Sequence, residues 1–361
     1  MNILTRYLLR EFYKLLCFFI FGFILVYIVF DIIENAGRFA QAGMTIAGIA
    51  SYMMLQIPEI VSLLTPVAVL MATIISLGVM DNRNELVAMK ASGISLLRFT
   101  VPVLLSAFAI SVALTALNET ILPDLKAQTS YIREVIVKNR EPNVYYKDKF
   151  WHKGQNSIYE IGSYDPENQV LLDVTYYGFD QDFNLDIRID AQRAQYVNNH
   201  WRFYMGLYQK MESHGNYAAH VFHSKDMLLP EVPDDFTRLA KPTSEMNMVE
   251  LADLINKIEV EGYDARSYKV DMYAKMSSPL SCLVIAFIGI PLVLFRSKGK
   301  ENRIARAIVI GSALALFYWV GSSFIASTLG YQGLIPPFLA AWLPNILFIM
   351  LGLWLYSHTP Q

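Results

Sequence analysis

Charge and cysteine are both scarce in this 361-residue chain. Asp, Glu, Lys and Arg make up 17% of it against 54% hydrophobic residues, a balance too apolar for an ordinary soluble domain of this length. The shortage is uneven, because from Ala307 to Ser357 there is no charged residue at all. The two cysteines, Cys17 and Cys282, both sit in apolar runs, so a disulfide framework is excluded and both read as small buried apolar residues. Lys plus Arg number 30 and Asp plus Glu 32, so there is no cationic surplus and no nucleic-acid partner is expected. Three catalytic signatures are also missing: GxxxxGK[ST] for nucleotide phosphates, HExxH for catalytic zinc and GxSxG for a serine nucleophile. Neither an enzyme nor a cofactor-binding protein is expected.

Long apolar runs account for the low charge. Ile60–Met80, Phe99–Asn118 and Met276–Phe295 are each about 20 residues, enough to span a bilayer as helices. The charge-free run after Ala307 is split by "GYQGLIPPF" (330–338), whose glycines and prolines break a helix, and so reads as two spans. A first span covers about Leu15 to Ile33; it is too long for a signal-peptide core, and Asp31, Ile32, Ile33 and Glu34 stand at its end where a small-residue cleavage site would lie. Six transmembrane helices result, three on each side of a polar middle: 1–118, 119–270 and 271–361. Orientation follows from the cations. With the N-terminus cytosolic, the inner side holds Arg6, Arg10, Lys14, Arg83, Lys90, Arg98, Arg296, Lys298, Lys300, Arg303 and Arg306, while the short outer loops hold only Arg38. Both termini are then inside and the middle domain outside.

Within 143–229 the texture becomes β. "NLDIRIDAQ" alternates Leu185, Ile187 and Ile189 with Asp186, Arg188 and Asp190, the period of a strand with one buried face. "NSIYEIGSY", "LLDVTYYGF", "HWRFYMGLYQKM" and "NYAAHVFHSKDMLL" read similarly between turn segments, which predicts a sandwich or jelly roll. Helical patterns flank it at 123–139 and 244–264; the second places Met248, Leu251, Leu254 and Ile258 on one face and stops at Gly262. His220 and His223, three apart on a strand, face opposite sides and have no acidic or thiol companions, so no metal is expected. Asp31 and Glu34 share a helical face, but no second span offers a carboxylate to converge with them.

One connection is more elaborate than a turn requires. "DNRNELVAMKASGISLLRF" (81–99) joins two spans with interleaved charges and a helical pair, Leu86 and Met89, before a stop at Gly93. It is either a solvated amphipathic turn or a docking helix for a cytosolic partner. The stretch resembles the R-x-E-L-x-x-M-x-A-S-G segment of the LptF/LptG permeases of lipopolysaccharide export, at Arg83, Glu85, Leu86, Met89 and Ala91–Gly93. The resemblance covers the whole chain, and "YKVDMYAKMSSP", with Tyr268, Met272, Lys275 and Pro279, is closer to the LptG branch.

What the resemblance implies can be stated residue by residue. The fold is six membrane helices with an inserted periplasmic β-jellyroll. The chain pairs with an LptF-like permease, an LptB-like cytosolic ATPase that binds the ATP, and a single-span LptC-like protein. Lipopolysaccharide is taken from the inner membrane and passed through the jellyroll. Residues 81–93 are the ATPase-coupling helix, with Arg83, Glu85, Leu86, Met89 and Gly93 as its working residues. The family can carry a basic residue inside the first span; here "VYIVFDIIEN" is apolar then acidic, leaving Arg38 as a substitute, and Arg133 matches a basic family position. These two, with the strand face Leu185, Ile187 and Ile189, are the lipopolysaccharide-binding candidates. Phe317, Tyr318 and Phe324 of the fifth span are gate candidates, or else ordinary packing and lipid-facing aromatics. The rival readings are a permease for another amphiphile, such as a lipoprotein, and a membrane scaffold that transports nothing.

Overall fold

A computed structural model describes residues 3–92, 95–137, 145–153, 156–165, 168–180, 184–211, 217–227, 229, 231–233, 236, 241–260, 262, 264–294 and 303–358. The chain forms two units: a helical one from Met1–Gly37, Ala47–Lys126 and Asn247–Gln361, and a β one from Arg38–Ile46 and Ala127–Met246.

Apolar runs dictate the helical elements. They are α1 (Ile3–Gln41), α2 (Ile46–Asn82), α3 (Glu85–Ala91), α4 (Leu96–Thr120), α5 (Leu122–Tyr131), α6 (Met248–Val260), α7 (Arg266–Ser277), α8 (Ser281–Leu294), α9 (Arg303–Phe324) and α10 (Pro337–Ser357). Five of the helical stretches, at α1, α2, α4, α9 and α10, are long and apolar enough to cross a membrane. The pair α7–α8, bent by 53° at its junction, makes a sixth span when taken together. This corrects the expectation of one straight helix over 276–295: the span starts ten residues earlier in sequence and is broken at 278–280. The first two helices also outrun their apolar cores, α1 continuing to Gln41 and α2 starting at Ile46 despite Pro58 and Pro66. Prolines inside membrane helices are tolerated where neighbouring groups make up the lost hydrogen bond.

Burial is unequal among the spans. The most apolar window of α2 is 61% buried and that of α1 only 6%. Leu8, Phe12, Leu70, Ile74, Leu77, Cys282, Ile288 and Phe348 belong to one buried cluster, so Cys282 is a core residue as expected, whereas Cys17 is exposed on α1, against the expectation that both are buried. On α6 the buried face is Leu251, Leu254, Ile255 and Ile258. Gly262 then takes φ 80°, a left-handed value that glycine reaches without a Cβ clash.

The β unit is one antiparallel sheet whose strands follow chain order: β1 (Tyr145–Lys153), β2 (Ser157–Asp165), β3 (Val170–Phe179), β4 (Leu185–Val197), β5 (His200–Met211) and β6 (Tyr217–Met227). These six strands are a meander, and the two-sheet path of a jelly roll is not what they trace. Strand β1 was not among the five segments legible from alternation.

The pairing skips one rank of residues across five strands: Gly162, Asp173, Gln192, Met205 and His223. On either side of that rank, Tyr164, Leu171, Ala194 and Phe203 align, as do Ile161, Val174, Ala191 and Gly206. Both ranks belong to the core side, so each strand steps by three residues there instead of two. Asp173 and Met205 take φ 48° to absorb the extra residue. Gly206 is required at this crease, because a Cβ would lie 2.2 Å from the carbonyl oxygen of Asp190.

Candidate functional site

The segment between α2 and α4 builds its helix from a tight start. Asn84, at φ 58°, turns the chain, its N–H reaching the Asp81 carbonyl at 3.0 Å, and its own carbonyl accepts from Ala88 N–H at 3.0 Å. Asn tolerates this left-handed position better than most residues. Glu85 follows in the first turn, where the helix dipole favours a carboxylate. Arg83 lies 4.0 Å from Glu85 and donates to the Tyr7 hydroxyl of α1 at 3.2 Å. Ser95 caps the next helix by accepting from Arg98 N–H.

The shared face of Leu86 and Met89 points inward. They are 2% and 6% exposed and belong to the same buried cluster as Leu8, Phe12, Met80 and Phe99. Leu86 and Met89 therefore anchor α3 to its own bundle and are not available to a partner in this arrangement. The surface α3 presents is Val87, Ala88 and Ala91, with Glu85 half-buried at its edge. Val87, 58% exposed, is the apolar residue that sequence reading passed over; burial by a neighbouring helix leaves no local signature. Gly93 lies outside the described residues.

In the β unit, Ile189 is fully buried and Ile187 packs against the same core from a half-buried position; Leu185 is half-buried at the end of its strand. Arg188 lies between them on the opposite face, ion-paired with Asp190 at 2.9 Å, and Thr175 Oγ1 donates to the same carboxylate at 3.0 Å. The core face is unevenly covered. Tyr159, Tyr164, Trp201 and Phe203 are buried and Phe236 stands against three of these rings, 5.4–6.2 Å between centroids. Tyr176, Ile187, Tyr208 and Phe222 are only partly covered, as are Tyr196, Met227 and Leu229 beside Trp201.

A strap formed by Leu229, Glu231–Pro233 and Phe236 packs on this aromatic cluster. Trp201 Nε1 donates to the Glu231 carbonyl at 2.8 Å and the Tyr164 hydroxyl to the Pro233 carbonyl at 3.0 Å. The Glu231 carboxylate, 6% exposed, accepts from Ser157 Oγ at 3.2 Å and from the Tyr159 hydroxyl. Burial, reinforced by that carboxylate, pushes the Tyr159 phenol well above its usual range.

The other candidates are dispersed. Arg38 is in the last turn of α1, where a cation suits the carbonyl end of the helix, and Arg133 is exposed on a π-helical turn, Ile132–Val137. Phe317 and Phe324 are 70% and 58% exposed on α9, whereas Tyr318 is buried and donates to Asn345 Oδ1 at 2.8 Å. Tyr318 is thus a packing residue in this arrangement. Among the described residues no group of three His, Cys, Asp or Glu could hold a metal ion.

Membrane-length helices before and after an inserted antiparallel sheet, with a short helix in the connection between α2 and α4, define a polytopic membrane protein. The family model described as lipopolysaccharide export system permease LptF/LptG matches residues 6–358, and the chain belongs to that family. Its relatives include the lipopolysaccharide export system permease protein LptG of Escherichia coli K12, 24% identical over 370 residues, 98% of each chain. The protein of the same name from Haemophilus influenzae is 23% identical over 309 residues, 84% of each chain.

Proposed function

We propose that the chain is the LptG-type permease subunit of a lipopolysaccharide exporter in the bacterial inner membrane. The observation that supports this beyond family membership is the uneven cover of the sheet's core face. Tyr176, Ile187, Tyr208 and Phe222, with Leu185 at the end of its strand, are left half-covered beside fully buried Tyr159 and Ile189. Such a surface suits alkyl chains, which gain about 0.8 kcal/mol per buried CH₂.

The remaining roles follow on this reading. An LptF-like permease, an LptB-like ATPase and an LptC-like single-span protein complete the machine. ATP is bound by the ATPase, since this sequence has no phosphate loop. The cation asymmetry of the sequence supports an orientation with both termini in the cytosol and the β unit in the periplasm. Helix α3 faces the ATPase with Glu85, Val87 and Ala88, while Leu86 and Met89 transmit its displacement to the bundle. Arg38 and Arg133 meet the lipid's phosphates, which guanidinium groups bind in bidentate fashion. Phe317 and Phe324 take the gate role.

Site-specific photo-cross-linking in the assembled exporter tests this. A probe at Ile187 is expected to capture lipopolysaccharide only when ATP is hydrolysed, and a probe at Arg188 is not. The Ile187 signal is expected to disappear in Glu85→Lys, which reverses the charge at the docking surface. Equal labelling at both positions, or ATP-independent labelling, would sink the reading.

A further inference from the structure

The break between α7 and α8 lies inside an apolar bundle, where an unsatisfied carbonyl is costly. In a continuous helix the Ser277 carbonyl would accept from the Ser281 N–H. At the break that N–H turns to the Ser278 carbonyl instead, at 3.1 Å. The Ser277 carbonyl is satisfied from another span: Asn345 Nδ2 of α10 donates to it at 2.9 Å. Asn345 is 2% exposed, and its Oδ1 is held by the Tyr318 hydroxyl of α9. Tyr318 in turn packs edge-on against Phe348, centroids 5.1 Å apart. One hydrogen-bonded chain therefore crosses the last three spans and ends on a backbone carbonyl at the bend.

We propose that the Ser277 carbonyl is a two-position switch, with Asn345 and Tyr318 as the latch of its bent state. When α7 and α8 come into line, the Ser281 N–H takes the carbonyl and Asn345 is released. In the exchange the buried Asn345 amide loses its acceptor, and α7 leaves partners such as Tyr331, whose hydroxyl donates to Asp271, so the bent state is the resting one and alignment must be driven. Pro279 adds to that bias: it has no N–H for the ladder and its ring opposes a continuous helix. Full alignment over the twelve residues of α7 would carry Arg266 through about 16 Å. The moving helix holds Tyr268, Met272 and Lys275. Assigning this motion to transport rests on the permease reading above; the switch itself does not.

Spin-label distance measurements on the assembled complex in lipid nanodiscs decide the matter, with labels at Lys269→Cys and Met350→Cys in a Cys17→Ala, Cys282→Ala background. Asn345→Asp keeps the acceptor for Tyr318 but removes the donor to Ser277, and is expected to add a second distance population without ATP. Ser281→Pro removes the competing N–H at the first residue of α8, a position where proline is tolerated. It is expected to give the bent population alone, with or without ATP; Ser281→Ala, which keeps the N–H but, like the proline variant, loses the hydroxyl beside Tyr318, is expected to keep the second population under ATP. Should Asn345→Asp not assemble, Tyr318→Phe is expected to show the second population at lower amplitude. An unchanged distribution in the assembled donor or hydroxyl variant, or a second population in Ser281→Pro, overturns the switch. If the populations respond to these substitutions but never to ATP, the switch stands and its role in transport fails.

Discussion

The helical unit and the β unit each hold an irregular stretch of backbone with one buried polar side chain, but they choose opposite chemistry. In the helical unit it is an amide, Asn345, capping one carbonyl at a helix break. In the β unit it is a carboxylate, Glu231, accepting from Ser157 and Tyr159 while its own carbonyl accepts from Trp201. The Ser277 carbonyl has a backbone donor, the Ser281 N–H, one helical turn away, so it stays satisfied when the amide lets go. The donors around Glu231 converge from β2 and β5 on one short strap, and breaking the arrangement would strand several buried polar groups together. The first arrangement suits a part that moves, the second a part that stays closed.

Removing the ring at the centre of the aromatic cluster breaks this comparison most strongly. Phe236→Ala deletes a fully buried side chain touching Tyr159, Tyr164 and Trp201, and is expected to cost about 3–5 kcal/mol of local stability. Hydrogen exchange of the β2 and β5 amides reads this out; unchanged protection would mean the strap is not part of the core. A smaller effect is expected for Glu231→Gln, which turns one of two acceptor oxygens into a donor facing existing donors, at about 1–3 kcal/mol. Here the sheet should loosen as a whole. A discrete second conformation in the β unit would make Glu231 a switch like Asn345 and erase the contrast. The smallest effect concerns pH. The Tyr159 phenol is raised in the folded state, so its contribution is fully present below the unfolded value of about 10 and is lost as pH climbs above it. Tyr159→Phe is expected to flatten the decline of protection above that pH, and an equally steep decline would assign it to other tyrosines.

Much of the architecture was legible because two periodicities were clean. Charge-free runs marked the spans, and the alternation at Leu185, Ile187 and Ile189 gave the correct face of β4. Extrapolating that alternation, however, places Arg193 inside and Ala194 outside, whereas the crease reverses them: Arg193 is exposed and Ala194 buried. The extra residue is a tertiary decision shared by neighbouring strands, and no single strand announces it. The pairing of Leu86 with Met89 was also visible, but not that it pointed into the bundle. Pro279 lies at the break in the fourth span, which the sequence reading took as one helix; the cap of that break, Asn345, lies 68 residues away in sequence, beyond the reach of any local pattern.

The crease carries a constraint on how such a chain can change over time. Since every strand from β2 to β6 skips a residue at the same level, the ranks on both sides stay aligned. A single-residue deletion at Gln192 would slide one flank of β4 against β3 and β5 together and turn the side chains beyond it to the wrong face. Length variation in this domain is therefore confined to the turns between strands, or must occur in all five strands at once. The row of five residues acts as a shared reading frame for the sheet, enforced by geometry where a gene enforces its own by codons.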